Sequence, residues 1–98
     1  MDNATTAADT GINTTTATAV LAEANRLLTG DRAAAYGDPT VNFKRIAALW
    51  SAYLAMPIFP RDVAWLMVLL KVSREAHGPH TDNAIDIAAY AALAEQVN

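Results

Sequence analysis

The stretch Val63–Leu70 (VAWLMVLL) is the longest run of apolar residues in the chain, and it constrains the fold more than any other feature. At eight residues it falls far short of the roughly 20 that a helix needs to cross a bilayer. It lies between Pro60 and Gly78-Pro79, and no alternation of apolar and polar side chains is sustained there. It therefore reads as the centre of a helix that is apolar on every side. Such a helix has to be covered all round. A chain of 98 residues has few neighbours to do it, so part of this helix is the first candidate for a subunit interface.

The rest of the pattern is helical too, and the sequence predicts an all-α fold, a small four-helix bundle-like domain. Val20, Leu21, Ala24, Leu27 and Leu28 form one stripe over residues 16–29, with Gly30 placed for a left-handed C-cap. Asp38-Pro39 fits an N-cap followed by proline at the first helical position. The second helix then runs to about Ala55, with Phe43, Ile46, Ala47, Trp50 and Leu54 on one face, Leu49 and Tyr53 widening it, and Pro57 breaking it. The third begins at Pro60, with Asp62 favouring the positive end of its dipole, and stops near His77 at Gly78-Pro79. Thr81 is placed to cap the fourth, which runs from Asp82 nearly to the end. Its many alanines let neighbouring backbones come close. Short connections make the last pair antiparallel.

Residues 1–15 hold a single large apolar side chain after Met1, that of Ile12, among Thr, Ala, Asn, Asp and Gly. They are expected to be a flexible tail, because they cannot bury enough surface to offset their ordering entropy. With neither a basic start nor an apolar core segment, they are not read as a signal peptide. The helical domain is placed at 16–98. A core of roughly 80 residues is only marginally stabilising. No cysteine is present to supply disulfides or thiolate metal ligands, yet 53% of the chain is hydrophobic. Association into a homo-oligomer is the expected route to stability. A net charge of −3 argues against generic nucleic-acid binding and against anionic membranes. The expected setting is soluble and cytoplasmic.

One polar constellation stands out. Lys71 and Arg74 sit three apart near the end of the third helix, while Asp82 and Asp86 sit four apart at the start of the fourth. Folding the chain back at Gly78-Pro79 brings position 74 opposite 82, and 71 opposite 86. Met67 then faces Tyr90, and Asn83 joins the same side. Three accounts are open. Ion pairs would pin the hairpin, worth roughly 0–1 kcal/mol each where exposed. Alternatively, Lys71 and Arg74 would hold phosphate oxygens, with Asn83 and Tyr90 assisting, while Asp82 and Asp86 would hold Mg²⁺. A surface for a partner protein is a third account.

Tyr36-Gly37-Asp38-Pro39, Phe43, Ile46-Ala47, Leu49-Trp50, Lys71-x-x-Arg74, Asp82-Asn83-x-x-Asp86 and Tyr90 occur here in a recognisable order. On these motifs, roughly residues 28 to 96 resemble a family of short uncharacterised proteins of tailed phages, especially those of actinobacteria. The family brings no established activity with it. A more distant similarity reaches the MazG-like all-α nucleotide pyrophosphohydrolases, which are small helical oligomers with Mg²⁺ held by carboxylates of adjacent helices. That resemblance implies a nucleotide ligand, with Asp82 and Asp86 standing for the acidic pair on the last motif helix. The sequence departs from the pattern on the second helix, where Asn42, Lys44 and Arg45 stand and no acid is found. Asp62 and Glu75, the acids of the third helix, do not reproduce the missing motif either.

Other features are weaker. His77, His80 and Asp82 lack the third histidine or a cysteine that a transition-metal site would use. Tyr36 reads as a core lid, and Trp50 and Trp65 as core or interface residues. Neither a glycine-rich phosphate loop nor a nucleophile–histidine set is present. Three functions remain open: a phage-encoded nucleotide-binding protein with or without pyrophosphohydrolase activity, an oligomeric interaction protein that binds a host or phage protein, and a structural phage component. The third ranks last, because strand-rich and coiled-coil patterns are absent.

Overall fold

The computed structural model describes residues 16–30 and 37–97. The expected tail (1–15) and Tyr36 lie outside the described residues. Among those described there are four helices and no strand: α1 (Thr16–Thr29), α2 (Pro39–Leu54), α3 (Pro60–His77) and α4 (Thr81–Gln96). The fold is all-α. No helix among the described residues is long and apolar enough to cross a membrane.

Three prolines set three of the boundaries. A residue before proline is pushed out of the helical region by the proline ring. Asp38 (φ −71°, ψ 118°), Phe59 (φ −104°, ψ 159°) and Gly78 (φ −163°, ψ 117°) are all extended. Asp38 also caps α2, its carboxylate accepting the Thr40 N–H at 2.9 Å. At the start of α3, Asp62 reaches back to accept the Phe59 N–H at 2.8 Å.

Several helix ends differ from the sequence reading. Gly30 does not adopt a left-handed conformation. Its N–H donates to the Arg26 carbonyl at 2.8 Å, and an added Cβ would meet that same oxygen. The left-handed cap occurs instead at Ala55 (φ 55°), which ends α2 two residues before Pro57. Helix α4 is capped by His80, not Thr81: the His80 Nδ1 accepts the Asp82 N–H at 3.1 Å, and Thr81 is the first helical residue.

Helices α3 and α4 form an antiparallel hairpin, with α2 packed on α3 and α1 on α4. The core is small. Phe43, Ala47, Val63, Ala64, Ala94 and Val97 form its centre, ringed by Ile46, Trp50, Ile58, Tyr90 and Leu93. Five of the eight buried apolar residues among those described are alanines. Ala24 and Ala89 are buried where α1 lies along α4, as small residues at a close helix contact should be. As expected of so small a chain, its own helices cover α3 only in part. Val63 and Ala64 are enclosed, whereas Trp65, Leu66, Leu69, Leu70 and Val72 remain exposed, as do Leu49 and Tyr53 of α2.

The α2–α3 connector is held by one side chain. The Ser51 hydroxyl donates to the Ile58 carbonyl at 3.1 Å and accepts the Ile58 N–H at 2.8 Å. Both backbone groups are part-buried, so Ser51→Ala leaves them unsatisfied. It should lower unfolding stability by about 1–2 kcal/mol in a urea titration. Ala55→Gly should act in the opposite direction. Removing the Cβ from a left-handed residue relieves about 1 kcal/mol of strain, read as a higher urea midpoint.

Candidate functional site

The α3–α4 hairpin holds its register through polar contacts along its length. Lys71 Nζ lies 3.0 Å from Asp86 Oδ2, and both side chains are largely covered. At the far end Arg61 meets Glu95 at 3.2 Å, in the same antiparallel register. Near the turn, Glu75 Oε1 accepts from Asn83 Nδ2 at 3.0 Å and from the His80 N–H at 3.1 Å. Asn83 is the buried polar residue of the described structure, and this bond gives its amide nitrogen a partner.

The Glu75 contacts change how the predicted cluster is assembled. Lys71 and Glu75, four apart, share the row of α3 that faces α4. Arg74 lies to one side of that row. Its expected partner, Asp82, instead approaches His80, with Nδ1 and Oδ2 3.6 Å apart. Since Nδ1 already accepts the Asp82 N–H, this is a contact at the cap and not an ion pair. Among the described residues, no carboxylate lies within ion-pair reach of the Arg74 guanidinium. Tyr90 packs against Phe43 of α2, with ring centroids 6.5 Å apart and planes 29° from parallel.

Two concavities meet at the Lys71–Asp86 pair. One is a cleft of about 260 Å³ between α1, α2 and α4, walled mostly by apolar side chains including Leu27, Leu28, Phe43, Leu93 and the Tyr90 ring, with Asn42 at its edge. The other is a more polar recess at the hairpin turn, lined by Arg74, His77, His80, Asp82 and Asn83. Lys71 and Asp86 border both. All six sequence-predicted site residues therefore lie on this combined surface. Asn83 is committed to Glu75, and Lys71 to Asp86. No group of three or more His, Cys, Asp or Glu side chains is placed to hold a metal among the described residues.

Two contributors escaped the sequence reading. Glu75 does not fit the MazG-like spacing, yet it lies four positions from Lys71, the spacing that selects a common helix face. The Arg61–Glu95 pair follows from the register already drawn for Lys71 and Asp86, carried to the other end of the hairpin. The apolar cleft had no such signal, because three helices distant in sequence build it.

A family model described as a domain of unknown function (DUF6378) matches residues 19–98. The Gene 55 protein of Mycobacterium phage D29 is 46% identical over 79 residues, which make up 80% of this chain and 52% of that protein. The Gene 55 protein of Mycobacterium phage L5 is 42% identical over 80 residues, 80% of this chain and 51% of that protein. The chain thus spans about half the length of these curated relatives. No solved structure matches it.

Hydrogen bonds from Asn83, and then from the His80 backbone, hold the Glu75 carboxyl below its ordinary range. A carboxylate with a depressed folded-state pKa adds stability that is present above the unfolded value, and that stability is lost as pH falls through the folded one. Glu75→Gln should therefore melt below the wild type near neutral pH. The gap should close as the pH is taken below about 4, as followed by thermal denaturation across a pH series.

Proposed function

The chain belongs to the family described as a domain of unknown function (DUF6378), with relatives in mycobacteriophages, and within that family we propose that it binds a nucleoside phosphate across the two joined concavities. The base would lie in the apolar cleft against Tyr90 and Phe43, and the phosphates in the recess at the hairpin turn. The observation that carries this reading is Arg74: a guanidinium beside a half-enclosed recess, with no carboxylate partner among the described residues. Guanidinium forks match phosphate oxygens in geometry and charge. His77 and His80 add donors at the rim of the same recess.

The cleft alone is smaller than the roughly 300–1,000 Å³ of typical small-molecule sites. It suits a ring system, and the adjoining recess supplies the volume that the rest of a nucleotide requires. The Lys71–Asp86 pair at the junction keeps a cation and an anion side by side without a net charge of its own. Mg²⁺ would enter with the phosphates, because it takes one or two protein carboxylates together with water and phosphate oxygens. Asp82 and Asp86 fit that role, being one turn apart on α4 and bordering one recess. Binding is what this geometry supports. Hydrolysis would need a base to activate water, and α2 offers Asn42, Lys44 and Arg45 where an acid would stand. The apolar outer side of α3 supports a second reading, an oligomeric protein that binds a host or phage protein.

Titration calorimetry with the common ribo- and deoxyribonucleoside triphosphates, with and without Mg²⁺, should find at least one that binds. Arg74→Ala should weaken that binding by about tenfold or more, as expected for loss of a charged hydrogen bond. Asp82→Asn should reduce the dependence on Mg²⁺. Absence of binding by every triphosphate at millimolar concentration, or equal affinity of Arg74→Ala, would remove the proposal.

A further inference from the structure

Between Trp65 and Ala76 the outward side of α3 is almost wholly apolar. Helical spacing puts Trp65, Leu69, Val72 and Ala76 in one row, and Leu66, Leu70 and Ser73 in the next. Within this stretch neither row contains an ionisable group; Arg61 and Asp62 lie one turn before it and His77 one turn after. Lys71 is turned the other way, toward Asp86 of α4. Phe59 in the cap and Trp65, Leu66, Leu69, Leu70 and Val72 on the helix are between 39% and 63% exposed. Leu54, the last residue of α2, and Met56, in the turn that leads into α3, are more than half exposed as well.

We propose that this strip is where two copies of the chain meet in an isologous dimer, with Leu69 near its middle. Three observations favour a second copy over other occupants. The area is right: these eight side chains offer on the order of 800 Å², about what each partner buries in a standard-size interface. The subunit also needs the burial, since the only fully buried large side chains among those described are Val63 and Val97. A core that thin is a poor match for the roughly 1–2 kcal/mol of backbone entropy lost per ordered residue. Finally, an uncharged strip is self-complementary, because two like faces meet without placing like charges together. The first fifteen residues of the chain are a poor cover for the strip, having Ile12 as their one large apolar residue after Met1.

The strip lies on the side of α3 away from α4, and the Lys71–Asp86 junction lies on the side toward it. Self-association is therefore separable from nucleotide binding, and either can fail alone. The absence of native cysteine makes the test direct. Sedimentation velocity of the full chain at micromolar concentration should show a dimer. Leu69→Arg should raise the dimer dissociation constant by more than about tenfold, as loss of a central anchor does, with circular dichroism reporting whether the variant keeps its helices. Should Leu69→Arg fail to fold, Leu69→Cys still decides the matter. On mild oxidation it should yield a disulfide-linked dimer well ahead of Leu21→Cys, an exposed control on α1. A wild-type chain that sediments as a monomer overturns the proposal. So does a dimer in which Cys at position 69 cross-links no faster than at position 21.

Discussion

The pairing of α3 with α4 in one fixed antiparallel register is the interaction on which the rest of the molecule depends. Three polar contacts spread along the hairpin specify it: Arg61 with Glu95, Lys71 with Asp86, and Glu75 with Asn83 and the His80 backbone. The outer ion pair is exposed and is worth little by itself. The inner contacts are different, because Lys71, Asp86 and Asn83 are covered groups that would be costly to leave without partners. A slip of α4 by one turn would part all three at once. The contacts thus select the alignment, while apolar packing supplies most of the driving force.

That packing is thin, and its thinness explains how the surface is distributed. Alanine dominates the buried set, so α1 can lie close to α4 and the helices meet with little side-chain volume between them. Close approach of the backbones leaves no room to enclose the large side chains of α3, which therefore face outward. The same geometry gives α3 two unlike sides. One presents Lys71 and Glu75 to α4 and borders the concavities; the other, between Trp65 and Ala76, carries only apolar and small residues.

Local punctuation was legible because its causes are local. Asp38-Pro39, Pro60 and Gly78-Pro79 act through steric exclusion between adjacent residues, and the starts of α2 and α3 and the end of α3 fall where the sequence places them. The misplaced caps have equally local reasons that run against statistical preference. Gly30 stays outside the left-handed region that Ala55 occupies, and a histidine ring nitrogen takes the capping role assigned to Thr81. Of the polar cluster, Lys71 opposite Asp86 could be drawn from register alone. Arg74 opposite Asp82 could not, because a three-residue step and a four-residue step leave a helix face on different sides. Only the packed hairpin shows which step points at α4.

Sequence by itself determined the helical class, the helix boundaries set by proline, the antiparallel sense of the last pair and the neighbourhood of its charged residues. All of these follow from interactions between residues near one another along the chain. Tertiary structure alone decided that Glu75 takes the inward position beside Lys71, that Phe43 and Tyr90 close a cleft between distant helices, and that one side of α3 stays uncovered. Those outcomes depend on how closely whole helices approach and how each is rotated about its axis, quantities fixed by the sum of many small contacts and carried by no single motif.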